Sequence, residues 1–264
     1  MTTTSVVIAG FATMDYVVQV DGDFPGRGTW LMRQAAEEAW PRAGGAALYA
    51  GAALALAGLQ AAPLTWIGDD TDGTTYEQAC RRSGVALEGV AIQAGTSTTR
   101  CLLIYNADGT YGCLLRPGPT VLTAGQLALA GHASWLMFSA GPPEPAGRLL
   151  DALAPGTRVA WIVKDDPACF PPDLAARLAN RADVVFCNAG ERAWLEARRS
   201  APRPASQILF ETRGADGVVI EVGAERFQQA VTPVRAGDAT GAGDTRPTGR
   251  SARCGPRVTV ARIT

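Results

Sequence analysis

The chain has 264 residues, of which 47% are hydrophobic and 19% charged, enough to bury the core of one large domain or two small ones. A net charge of -1 offers no basic excess to a nucleic-acid partner. The single histidine, His132, rules against a histidine metal centre or a Ser-His-Asp triad, and the six cysteines form no C-x-x-C pair and read as reduced thiols of a cytosolic protein.

In chain order, "SVVIAG" (5–10) is a short apolar run closed by glycine and reads as a buried strand. "YVVQVDGDFPGRGTW" (16–30) is extended. The apolar stretch 43–64 is long enough for a membrane span but consists mostly of alanine and glycine, without a charge asymmetry in its flanks. It reads as a helix packed closely inside an α/β domain, so no membrane partner is expected. "PLTWIG" (63–68) is a second strand, and "TDGTTYEQACRRSG" is a helix closed by Gly84.

Residues 98–118 carry a hairpin signal, two apolar runs joined by "NADGT" with Asp108-Gly109 at the turn. Cys101 and Cys113 face each other across it as packing thiols. Apolar runs ending near residues 140, 163 and 187 are further strands, separated by helices at about 142–153, 171–180 and 188–198. "SQILFET" and "DGVVIEV" follow as strands after the loop 200–206. Alternating strands and helices specify a mainly parallel sheet with helices on both faces, and ligands collect at the carboxyl ends of such strands. The segments outside the alternation, about 16–38 and 98–118, form a small β lid.

The punctuation after the strands carries the chemistry. In "DATGAGDT", Gly241, Ala242 and Gly243 are small enough for an anion to approach the backbone N–H groups at a helix start. Asp244 beside an anion site fits a general base, although the same letters also make an ordinary capped turn. Asn188 and Glu191 have the spacing of a capping box after a strand. "TRGADG" sets Thr212, Gly214 and Gly217 between two strands; "GFATMD" sets Asp15 just past the first, and Gly44-Gly45 open the alanine helix. No G-x-G-x-x-G follows the first strand and no Gly-Lys-Ser/Thr exists, which excludes a dinucleotide oxidoreductase and a Walker-type NTPase.

This ordered set, from Asp15 and "AGGA" through "GDD", "NAGE" and "TRGADG" to "GAGD", resembles the ribokinase-like, or PfkB, carbohydrate and nucleoside kinases. The resemblance runs from about residue 5 to 245 and implies one domain over 1–264, a three-layer α/β/α sandwich with a small lid. It also implies roles: Asp244 as catalytic base and the Gly241 to Gly243 backbone as anion hole. Asn188 and Glu191 would hold Mg²⁺ through water, and Thr212, Gly214 and Gly217 would line the ATP site. Asp15, Gly44 and Gly45 would meet the hydroxyls of a sugar or nucleoside, and two copies would pair through the lid.

Three departures accompany the resemblance. Tyr49 stands near the position of an acceptor-contacting asparagine, either stacking on a ring or packing in the core. "IVKDDP" replaces an Asp-x-Asn pattern; its Lys164 either attracts an anionic group of the acceptor or of ATP, or belongs to a solvated charge cluster. After Thr245, Arg246-Pro247 and an arginine-rich tail (246–264) stand where relatives continue with apolar helices. The tail reads as a frame change or a truncation. It predicts a poorly stable, weakly active kinase, or a non-catalytic protein that binds a small ligand.

Overall fold

The computed structural model describes residues 5–22, 24, 29–34, 40–107 and 110–231. The anion-hole and base positions Gly241, Ala242, Gly243 and Asp244, the tail, and the Asp108-Gly109 turn lie outside the described residues.

The chain opens with β1 (Ser5–Ala9) and β2 (Thr13–Val20), followed by the short strands β3 (Met32–Gln34) and β4 (Arg42–Gly44). Helix α1 (Ala46–Leu56), β5 (Gln60–Gly68), α2 (Thr71–Arg82) and β6 (Val90–Gln93) come next. The hairpin β7 (Thr99–Tyr105) and β8 (Tyr111–Arg116) leads into α3 (Ala124–His132). Three units then alternate regularly: β9 (Trp135–Phe138), α4 (Pro143–Asp151), β10 (Arg158–Ile162), α5 (Pro172–Arg181), β11 (Val184–Asn188) and α6 (Ala189–Glu196). β12 (Ile208–Thr212), β13 (Val218–Val222) and β14 (Glu225–Gln229) complete the described chain.

Nine strands form the main sheet in the order β14-β13-β12-β11-β10-β9-β1-β5-β6. All neighbours from β12 to β6 run parallel, and only β12–β13 and β13–β14 are antiparallel. The strand period of two divides the core. Val7 and Ala9 join Leu136, Val159, Trp161, Val185 and Leu209 in one cluster that packs against α3 to α6. Val6 and Ile8 point the other way, onto Ala47 and Ala50 of α1. Fully buried Trp161, Phe138 and Phe170 anchor the larger face, each aromatic or leucine there contributing about 1.5–3 kcal/mol by leaving water. The result is the expected three-layer sandwich.

The second, small sheet has the order β3-β2-β7-β8, with β4 also pairing with β2. Its middle pair is parallel, Thr13↔Thr99 through Gln19↔Tyr105, because β2 and β7 both leave the body in the same direction.

Several boundaries differ from the sequence expectation. The apolar stretch 43–64 holds one helix of 11 residues, α1, and the start of β5. Gly58, at φ 80°, turns the chain between them. Among the described residues no helix is long and apolar enough to cross a membrane. Helix α3 was not expected, yet Thr123 and Gln126 form a reciprocal capping box at its start. His132 ends α3 exposed, its Nδ1 2.7 Å from the Ala128 carbonyl oxygen. Burial pushes the Cys80 and Cys169 thiols up to about 11 and Cys187 up to about 12, which keeps them protonated and unreactive.

Asp70 explains the "GDD" motif structurally. It is the N-cap of α2, and its carboxylate accepts from Gly73 N, Thr98 N and Thr98 Oγ1, tying α2 to the entry of β7. Partial burial opposes its ionisation, but these hydrogen bonds and the Arg100 charge outweigh it and hold the carboxyl below the ordinary range. The stabilisation is therefore complete above the unfolded value of about 3.9 and is lost as pH falls through the lower folded value. Asp70→Ala is expected to lose about 1 kcal/mol in urea unfolding near neutral pH. The gap between the two proteins is expected to close as the melts are repeated at increasingly acidic pH.

Candidate active site

Strands β1, β9, β10, β11 and β12 end together on one side of the sheet, and the polar residues of interest follow those ends. β11 ends at Asn188, which caps α6. Asn188 Oδ1 accepts from Glu191 N at 2.8 Å, and Glu191 Oε2 accepts from Asn188 N at 2.9 Å. The sequence expectation of a capping box is met, and it fixes Asn188 in the lining of a cleft with Glu191 held beside it. The cleft, about 760 Å³, is lined by Asn188, Gly190, Arg192, Thr212, Arg213 and Gly214, with Ala189, Glu211 and Asp216 completing the wall.

Three expected residues, Asn188, Thr212 and Gly214, thus line one cleft. Gly217 stands beside it and closes the turn Gly214–Asp216, its carbonyl accepting from Arg213 N at 2.8 Å. The N-terminus of α6 opens into this space and supplies the positive end of a helix dipole.

Sequence reading missed the cleft's charged frame. Arg192 reaches Glu211 (3.4 Å), Glu221 (3.0 Å) and Glu196 (3.1 Å), while Arg213 Nε lies 2.7 Å from Glu211. Partial burial disfavours the Glu221 charge, but the hydrogen bond from Arg192 and the charges of Arg192 and Arg203 hold it below the carboxylate range. Only the i,i+4 pair Arg192–Glu196 has a visible sequence signal; the contacts to β12 and β13 depend on the fold. With its guanidinium shared among three acids, Arg192 shapes the wall and stiffens it.

The second group lies on the small sheet. Asp15, on β2, is 4% exposed and pairs with Arg42 of β4 and Cys101 of β7. Gly44, opposite Thr13, has no side chain because the Asp15 carboxylate occupies that space; a methyl there would fall on Asp15 Oδ2. Gly45 adopts φ 95° as the N-cap of α1, and a methyl on it would meet the Phe11 carbonyl oxygen. The pair therefore seats Asp15 and starts α1 in one step, and Asp15, Gly44 and Gly45 come together as expected. Tyr49 is half-buried, its hydroxyl donating to the Ala43 carbonyl at 3.4 Å.

Lys164 follows β10 and is half-buried. Its ammonium donates to the Tyr111 hydroxyl of β8 at 2.5 Å, a contact that joins the small sheet to the body. Burial disfavours its charge, yet the Tyr111 hydrogen bond and the fields of Tyr111, Glu191 and Asp166 hold its pKa above the ordinary lysine value. Asp166 itself is a turn cap, accepting from Ala168 N at 2.9 Å.

Residues 3–246 match the family model described as "pfkB family carbohydrate kinase". Fructoselysine 6-kinase of Escherichia coli (strain K12) is 26% identical over 193 residues, 71% of this chain and 72% of its own. A fructokinase of Rhizobium leguminosarum bv. trifolii is 28% identical over 227 residues, 78% of this chain and 69% of its own. Among solved structures, the ribokinase of Cryptococcus neoformans var. grubii serotype A in complex with ADP superposes with a TM-score of 0.74 at 18% identity, covering 92% of this chain and 84% of that one.

The glycine geometry makes a local prediction. Gly45→Ala is expected to destabilise the protein by about 1–3 kcal/mol through backbone strain, and Gly44→Ala to lower the melting temperature by displacing Asp15. Gly147→Ala, in the interior of α4 with open space around it, is expected to stabilise by about 0.5–1 kcal/mol. Urea unfolding of the three variants checks the set.

Proposed function

The chain belongs to the pfkB family of carbohydrate kinases, and from that membership we propose an ATP-dependent phosphotransferase acting on a hydroxyl of a sugar or nucleoside. One observation carries the reading. The cleft at the ends of β11 and β12 and the buried Asp15 on the small sheet lie on the same side of the main sheet, joined through the Lys164–Tyr111 contact. ATP as donor is supported by the likeness to a ribokinase in complex with ADP and to one complexed with ribose and ATP.

The proposed roles divide between the two groups. Thr212, Gly214 and Gly217 line the nucleotide site, and Asn188 and Glu191 face its phosphates from the first turn of α6. Asp15, with Gly44 and Gly45 behind it, receives the acceptor's hydroxyls as hydrogen-bond donors. Asp244 removes the proton from the attacking hydroxyl, and the backbone N–H groups of Gly241, Ala242 and Gly243 meet the charge on the transferring phosphoryl group. Phosphoryl transfer asks for positioning and charge neutralisation, and these groups supply both. The small sheet serves as the lid that keeps water from the transfer.

Among the described residues no cluster of three acidic, histidine or cysteine side chains could hold a metal ion by itself. Mg²⁺ is bound through few protein oxygens and keeps several waters, so a water-mediated place beside Glu191 fits the carboxylate held beside the cleft. Mg²⁺ there would neutralise phosphate charge.

Pairing of two copies through the small sheet is part of the same proposal. The sheet exposes Leu31, Met32 and Leu114, apolar surface that a second copy would cover.

A coupled assay of ADP release across a panel of sugars and nucleosides tests the function. Acceptor-dependent release is expected, and Asp244→Asn is expected to slow it by roughly 10²–10⁴-fold while ATP still raises the melting temperature. Full turnover by the variant would remove Asp244 from the role of base.

A further inference from the structure

The face of the small sheet that carries Asp15 is a continuous row. Asp15 pairs in register with Cys101. The Cys101 and Cys113 sulfurs are 2.8 Å apart. Tyr111, two residues before Cys113 on β8, projects from the same face by the strand period and meets Lys164. Asp15 stands on β2 at one edge of this row, and Lys164 meets it at Tyr111 of β8 on the other. Crossing from β2 to β8 spans two strand separations, and Tyr111 pairs with Tyr105, further along β7 than Cys101, so the row runs diagonally over roughly 15 Å.

Its ends have opposite chemistry. Asp15 is an acceptor for hydroxyl groups. Lys164 is a half-buried cation whose direct partner is a neutral hydroxyl; among the described residues no carboxylate forms an ion pair with it. The neighbouring acids are engaged elsewhere, Asp166 with Ala168 N and the Cys169 thiol, Glu191 with Asn188 N. The surrounding groups keep the ammonium charged, and a bound anion would supply the direct ion pair that it lacks among the described residues. Lys164 is not among the residues lining the cleft at α6, and its Tyr111 partner stands on the sheet that carries Asp15, which favours an anion of the acceptor.

We propose that Lys164, oriented by Tyr111, is the specificity determinant for an acceptor that carries an anionic group, a carboxylate or a phosphate, at the end remote from Asp15. This rests on the reading of Asp15 as the acceptor site. It narrows the substrate class from any sugar or nucleoside to an acidic or already phosphorylated sugar. The Tyr111 hydroxyl keeps the ammonium over the row and closes the small sheet onto it when the anion is seated.

Direct binding tests it independently of turnover. Isothermal calorimetry would compare D-gluconate with D-glucose, and a ketohexose monophosphate with the same free ketohexose, on the full chain without nucleotide. At least one anionic probe is expected to bind roughly tenfold or more tightly than its neutral counterpart, the scale of one charge-assisted hydrogen bond. Lys164→Met is expected to remove that advantage and Lys164→Arg to restore most of it. Tyr111→Phe should weaken the anionic probe alone. ATP affinity of Lys164→Met should match that of the parent protein, and Lys164→Arg controls for any loss of stability.

Equal binding of charged and neutral probes would overturn the proposal, and so would a loss of ATP affinity in Lys164→Met, which would assign the lysine to the nucleotide. ADP release with neutral sugars alone would leave the kinase reading standing and refute this one. Preferential anion binding without ADP release would do the reverse.

Discussion

The carboxylate of Asp15 seated over the bare backbone of Gly44 is the contact on which the rest of the arrangement depends. It fixes β4 against β2, and β4 hands the chain directly to α1 through Gly45. Helix α1 can then lay Ala47 and Ala50 on Val6 and Ile8 of β1. Side chains this small bring the helix backbone close to the sheet and leave no slack in its position. One short-range packing condition, two glycines at the right place, therefore ties the small sheet, the first helix and the central strand together. The same condition holds an acid buried in a fixed position.

The other half of the site is organised by electrostatics. Arg192, Arg203 and Arg213 are matched by Glu196, Glu211 and Glu221 across α6, β12 and β13. Partly buried networks of this kind contribute less to stability than their number implies, because desolvation offsets much of the attraction. Their effect here is geometric. They hold the first turn of α6 against the antiparallel edge β12–β13, so the helix terminus faces a wall of fixed shape. Lys164 stands apart from this network, with its charge compensated by a hydroxyl and distant fields.

Much of the fold was legible because its signals are local. Apolar runs ending in glycine or asparagine marked strand ends at β1, β5 and β11, and the spacing of Asn188 and Glu191 marked the start of α6. Helix α3 escaped because "AGQLALAGH" lacks a clear apolar stripe, although its Thr123-x-x-Gln126 box was present to be read. β6 and β14 escaped because they are short, largely exposed edge strands. In the site, Asp15 and the glycine pair were legible as a motif, but the reason for Gly44 was not, since a buried carboxylate from another strand explains it. The Lys164–Tyr111 contact and the arms of Arg192 toward Glu211 and Glu221 join residues far apart in sequence. No local period encodes such meetings.

The parallel pairing of β2 with β7 has a kinetic consequence. Thr13 meets Thr99 only after β3, β4, α1, β5, α2 and β6 have all been laid down between them. Closing so long a loop costs entropy before any ladder hydrogen bond offsets it. In the main sheet β1 closes a longer loop still, Val6 pairing with Trp135 of β9. β1 and β2, adjacent in the chain, thus both wait for partners far along it, and the two sheets are tied to the same late closure.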